Sequence, residues 1–244
     1  MSERTISMMQ PYLFPYLGYF QLIYASDVFV LGDDLQYTKE SWINRNRILS
    51  NSGPKLISFP LKKDHFNARI GQRVFSDNID EEKRRLLKQI ANTYARAPLK
   101  KPVIALLEKI FDSKEMNLAK FAEMSLKSIC SYLGITTHFV NSSELGLKPD
   151  MDKQDRVITT AKLFNSEICI NPIGGIKLYD VAYFLDHQLT LKFHRMNDIV
   201  YSQGGKEFFP SLSVIDVMMF NDVSTIRDML AQFSLLSHET ELAM

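Results

Sequence analysis

MQPYLFPYLGYFQLIYASDVFVLGDDLQYTKESWINRNR, residues 9–47, is the stretch that decides the fold. An apolar run from Ile6 to Met9 leads into it and stops at Gln10-Pro11. The residue before a proline is held extended and proline donates nothing to a ladder, so a strand ends there. Pro15 and Gly18 bracket a tight connection, and Phe20, Leu22, Ile23 and Ala25 then fall on one side of a helix. After Asp27 the run Val28-Phe29-Val30-Leu31 is a second strand, closed by Gly32-Asp33-Asp34. Strand, loop, helix, strand is a βαβ unit, and its polar residues sit at the carboxyl ends of both strands. In open α/β sheets that edge binds ligands.

Beyond Asp34, the residues Gln36, Tyr37, Lys39, Trp42, Asn44, Arg45, Asn46 and Arg47 crowd amides, guanidiniums and aromatics into one short segment. Guanidiniums fork onto phosphate or carboxylate, amides donate and accept, and the chain's single Trp can stack on a planar or sugar face. The competing reading is a loop whose Asn and Arg side chains tie down their own backbone. A ligand loop beside strand ends is the better expectation.

Further along, Leu56, Ile57, Phe59 and Leu61 predict a third strand, which places Lys62 and Lys63 beside that loop if it runs parallel. One of these lysines could hold a phosphate, although a solvated pair closing an edge strand fits as well. Residues 64–78 hold a short apolar alternation that suggests another strand, with Asp77 or Asn78 as the following cap. Helical spacing marks residues 80–94, then a segment around Val103 to Phe111, then one from Asn117 to Gly134. These form a helical subdomain at about 80–134 whose apolar stripes read as core. A strand returns at Thr136–Val140, a helix follows at 155–164, and Ser166–Ile170 is a strand feeding the loop Asn171-Pro172-Ile173-Gly174-Gly175. A helix at 179–185 and a last strand at 190–194 lead to a second ligand wall at Tyr201, Gln203 and Gly204-Gly205. Ser211 or Ser213 caps a helix reaching Phe220, and Asp216 on it either pairs in the core or faces the site. After Asp222 the sequence predicts a short amphipathic helix and a frayed end.

The whole reads as α/β: a single domain over 1–244 with a Rossmann-like, mostly parallel sheet and a helical insertion in the middle of the chain. A net charge of +1, with 45% hydrophobic and 23% charged residues, gives no general attraction to nucleic acid or anionic membrane. Cys130 and Cys169 are far apart among apolar neighbours and read as buried free thiols. With no secretory signal and no long apolar span, a cytoplasmic protein is expected. No metal-ligand cluster, no GxGxxG and no Walker motif occurs, so neither metal nor cofactor is implied. Hydrolase and metalloenzyme readings start low. Nothing sets an oligomeric state.

QPYLFPYLGYF, DVFVLGDDLQY and WINRNRI, with NTYARAP at 92–98, DRVI at 155–158, YSQ from Tyr201 and FFPSLSVIDVMMFN, resemble the WbqC-like family over nearly the whole chain. The resemblance implies a place among surface-polysaccharide and amino-sugar genes and a role in acyl or aminoacyl (glycyl-type) transfer to the amine of a nucleotide-linked amino sugar. The expected partners are then that sugar and an acyl or aminoacyl donor, with no nucleic acid unless an aminoacyl-tRNA is the donor. In this reading Arg45 with Asn44 and Asn46 grips a phosphate or carboxylate, and Asp33 or Asp34 receives the ammonium proton. Gln10, Tyr16, Gly18, Tyr19 and Gln36 shape the sugar site, Lys62 and Gln203 add to it, and Trp42 or Tyr201 stacks. Two alternatives stand beside it: a nucleotidylyltransferase-like or ATP-using ligase, and a non-catalytic nucleotide-sugar binding module. For the ligase, Pro15-x-x-Gly18-Tyr19 lies where related enzymes carry His-x-Gly-His, with tyrosines in place of histidines.

Overall fold

A computed structural model describes residues 3–50, 52–205 and 207–237. The opening βαβ unit forms as the sequence predicts. Strand β1 (Thr5–Met9) leads through helix α1 (Leu17–Tyr24) to β2 (Val28–Leu31), paired parallel from Ile6–Val28 to Met9–Leu31. All four residues of β2 are buried, as expected of a strand covered on both faces. Its alternation sorts them: Phe29 and Leu31 join one apolar cluster, Val28 and Val30 the other.

The helical insertion is α2 (Ile79–Thr93), α3 (Lys100–Phe111) and α4 (Leu118–Leu133). Asn117 caps α4 by accepting the Lys120 N–H, and Gly134 ends it at φ +72°, where an L side chain would be strained. The chain then re-enters the sheet as β5 (His138–Asn141), beside β2. Helix α5 (Lys153–Leu163), β6 (Ile168–Pro172), helix α6 (Val181–Asp186) and β7 (Thr190–Met196) complete the parallel part. Helices α7 (Val214–Phe220) and α8 (Val223–Leu230) follow, capped by Ser213 and Asp222.

The sheet order is β5-β2-β1-β6-β7-β8, where β8 is Phe233–Leu236. The chain therefore moves outward one way from β1 and the other way from β6, and the order reverses between these two strands. Residues of α1, the helical insertion, α7 and α8 cover one face, while α5 and α6 cover the other. Burial pushes the thiols of Cys130 and Cys169 up to about 12, so both are free, inert core residues. Among the described residues no helix is long and apolar enough to cross a membrane.

Five expectations are corrected. The segment around Arg45 is not loop throughout: Arg45–Ile48 is strand β3, paired antiparallel with β4 (Lys55–Ser58) in a separate two-stranded sheet. The third strand thus never joins the parallel sheet, and Lys62 stands exposed in an ion pair with Asp77 at 2.5 Å. Residues 64–78 form no regular strand; they make a 3-10 turn at Ile70–Gln72 and the isolated bridges Leu61–Phe75 and Val74–Asn117. β6 runs on through Asn171 and Pro172, two residues past the expected strand end at Ile170. Finally, β7 is not the last strand, because β8 (Phe233–Leu236) closes the sheet antiparallel to it. The frayed end, expected beyond the tail helix, otherwise falls on residues 238–244, outside the described residues.

Candidate functional site

The β3–β4 hairpin leans on the turn after β1, and that turn is strained. Phe14 is fully buried with φ +48°, a left-handed backbone that a bulky residue adopts only when its surroundings force it. Asn46 supplies the force. Its Nδ2 donates to the carbonyls of Leu13 at 3.2 Å and Phe14 at 2.7 Å, and its Oδ1 accepts the Arg47 N–H at 2.8 Å. Ser213 Oγ donates to the same Phe14 carbonyl at 2.7 Å, which docks the start of α7 onto the hairpin. Asn44 is equally committed: it accepts from Tyr37 Oη at 2.9 Å and donates to the Phe59 carbonyl at 2.8 Å. The two asparagines expected to grip a ligand are scaffold, because their polar atoms are already spent on the protein.

The guanidiniums beside them are not spent in the same way. Trp42, 43% exposed, has the Arg45 Cζ at 5.8 Å and the Arg47 Cζ at 5.5 Å from its ring centre. Arg73 Cζ lies 4.7 Å from the ring of Tyr37. Burial raises the Tyr37 pKa, and the charges of Arg73 and Arg45 pull against it, so one strip runs from Arg73 through Tyr37 and Arg45 to Trp42 and Arg47. Asp64, at 3.7 Å from Arg73, is the carboxylate paired with this strip among the described residues. Arg45 spends only its Nε, on the Ser41 carbonyl at 2.9 Å. Among the described residues the buried Nε atoms of Arg47 and Arg73 have no partner, while Arg73 donates from Nη2 to the Lys62 carbonyl at 2.9 Å. Tyr12, Pro15, Tyr16, Trp42, Asn46, Arg47 and Ser211 line a cavity of about 270 Å³ at one end of the strip. Ser211 also holds a left-handed φ of +56°, a second strained residue on the same wall.

Other expected residues are elsewhere or serve other ends. Asp34 forms a buried ion pair with Arg156 and accepts from Ser142 Oγ. Asp33 accepts from the Ser143 N–H at 2.9 Å and Ser143 Oγ at 2.6 Å. Its carbonyl takes the Gly71 N–H at 2.6 Å, an approach so close that a Cβ at Gly71 would lie 3.1 Å from that oxygen. Both carboxylates thus tie the end of β2 to the end of β5 and to α5. Neither lines the cavity beside Trp42. Tyr19 is buried and donates to the Gln10 carbonyl at 2.7 Å, and burial holds its phenol well above the usual range. Gly18 is packing: a Cβ there would fall 2.4 Å from the Tyr16 ring. Gln36 is exposed and donates weakly to Phe66 and Asn67.

Tyr201 and Gln203 face a different feature. Asp216, fully buried, accepts from Tyr94 Oη at 2.8 Å, Tyr201 Oη at 2.7 Å and Gln203 Nε2 at 2.9 Å. Desolvation raises its pKa, and the three donors oppose that. The sequence left Asp216 open, and the structure buries and pairs it. The partners it missed, Tyr12, Arg73, Ser211 and Arg156, meet the rest across long loops, and no local pattern announces them.

Mostly parallel strands with helices on both faces and a polar carboxyl edge make this a Rossmann-like α/β protein. The chain belongs to the WbqC-like protein family, whose sequence profile matches residues 10–228. It is similar to the uncharacterized protein Rv1507c of Mycobacterium tuberculosis, 34% identical over 140 residues. That match covers 57% of this chain and 60% of the relative. No solved structure matches.

Proposed function

We propose that this protein is a transferase that moves an acyl or aminoacyl group to the amine of a nucleotide-linked amino sugar. The observation that carries it is the strip of Arg73, Arg45 and Arg47 interleaved with Tyr37 and Trp42, which has so little acidic compensation. Unpaired guanidiniums beside an exposed indole suit a diphosphate followed by a planar or sugar ring. The cavity against Tyr12 and Tyr16 would then hold the adjoining end of the substrate, and catalysis would rest largely on holding amine and acyl carbon together. The test is direct: purified protein, a panel of nucleotide-linked amino sugars and activated acyl donors, and mass spectrometry of the products. A product heavier by the acyl group, lost in Arg47→Ala, supports the reading; unchanged sugars with every donor remove it.

The commitment of Asp33 and Asp34 favours a second reading, a nucleotide-sugar binding module without chemistry, since neither carboxylate is free to take the ammonium proton. Calorimetric binding of the same sugars with no turnover would select it.

A further inference from the structure

On the far side of the loop that carries Ser211, a second and larger cleft opens. It has a volume of about 740 Å³ and lies between the β3–β4 turn, the corner after α2, and Gln203, Gly204, Gly205, Glu207 and Phe209. Its walls are built. Tyr94 on the corner takes the Leu49 N–H of the hairpin at 3.0 Å and donates to Asp216, while Gln203 bonds both Asp216 and the backbone of Phe209. One buried carboxylate therefore fixes all three walls, and such fully satisfied networks specify a single arrangement.

Two charges in this cleft have no ion-pair or hydrogen-bond partner among the described residues. Arg96 and Glu207 both line it, both are exposed, and among the described residues neither makes an ion pair or a side-chain hydrogen bond. They do not pair with each other. The carboxyl end of α2 enters the same cleft at Asn92 and Thr93, and its last turn carries no basic residue, so it adds partial negative charge there. A cation on one wall, with an anion and a helix carboxyl end on others, suits a small zwitterion.

We propose that this cleft binds an α-amino acid, its carboxylate on Arg96 and its ammonium on Glu207 and the end of α2. The site stands on its own charges and does not require the transferase reading. If that reading holds, it supplies the aminoacyl half of the reaction with a recognition site beside the sugar pocket: Arg47 and Leu49, two residues apart on the same hairpin, line one cavity each.

The test is ligand-observed NMR and calorimetry on the full chain with the standard amino acids, their methyl esters and their N-acetyl forms. Saturable binding of at least one amino acid below about 10 mM is expected, weakened tenfold or more by Arg96→Ala and by Glu207→Gln. The methyl ester should bind the wild type as weakly as the amino acid binds Arg96→Ala, and the N-acetyl form should be indifferent to Glu207→Gln. Both side chains are exposed, so neither change threatens folding. No saturable binding for any amino acid, or binding that survives both substitutions, overturns the proposal. Arg47→Ala should leave this binding intact while weakening that of nucleotide-sugars at least tenfold, which separates the two sites.

Discussion

Two regions of this protein use the same side chains to opposite ends. At the carboxyl edge of β2 and β5, Asp34 meets Arg156 with side chains 10% and 7% exposed, and serine donors fill the remaining oxygens of Asp33 and Asp34. On the β3–β4 hairpin, Arg45 and Arg47 flank an exposed Trp42, and among the described residues neither makes an ion pair with a carboxylate. Arg156 and Arg47 each leave a buried Nε without a partner, so hydrogen-bond completeness does not separate them. The carboxylate does. A guanidinium neutralised by the protein holds the protein together, whereas one left charged beside a cavity is set for an anion that arrives from outside.

The comparison breaks most visibly at Asp34. Its replacement by alanine strands Arg156 as a buried charge, and removing one partner of a buried pair costs about 3–5 kcal/mol. A urea denaturation curve should show that loss as a lowered midpoint with little change in slope. Full stability together with lost ligand binding would instead move Asp34 into the site and erase the contrast. Next in size is Asn46→Ala. It removes the donor that holds Phe14 in its left-handed turn and leaves two carbonyls without that donor, at about 2 kcal/mol. The same denaturation experiment reads it, and a variant as stable as the wild type would return Asn46 to the list of ligand-gripping residues.

These outcomes also mark what the amino-acid sequence discloses and what it withholds. The first βαβ unit was legible because local signals agree: proline after β1, an apolar run of four buried residues in β2, and charges just beyond it. The helical insertion was legible from its 3.6-residue spacing and from Asn117 and Gly134 at the ends of α4. The hairpin was not. Arg45–Ile48 alternates half-buried and buried positions in the structure, but its sequence is three polar residues and one Ile, which looks like a ligand loop, and only pairing with Lys55–Ser58 decides. The roles within it were hidden for the same reason. Asn46 acts on a turn more than thirty residues away, and Asp34 pairs with an arginine 122 residues distant. Residue type marked the segment as rich in binding chemistry, and tertiary contact determined which side chains keep that chemistry free.

Arg47→Ala sharpens the contrast from the other side. Because its charge is uncompensated, its loss should change folding stability by less than about 0.5 kcal/mol. Affinity for a nucleotide-sugar, or for pyrophosphate as a minimal probe, should fall at least tenfold, which is about 1.4 kcal/mol. Calorimetry on wild type and variant reads the affinity, and a thermal melt reads the stability. A large stability loss with unchanged affinity would make the hairpin guanidiniums structural, like Arg156.

The smallest expected effect is the response to salt, and it discriminates without any mutation. Charges exposed to solvent are screened over a Debye length of about 8 Å at physiological ionic strength, while a buried pair is screened far less. Anion binding at the Trp42 strip should therefore weaken several-fold as salt rises, because mobile chloride competes for Arg45 and Arg47. The stability contributed by Asp34 and Arg156, measured as the difference between wild type and Asp34→Ala at each salt concentration, should stay nearly constant, since water and ions do not reach between them. If both quantities fall in parallel, the two regions differ in burial only on paper, and the division between a neutralised guanidinium that builds the fold and a charged one that awaits a ligand fails at its physical root.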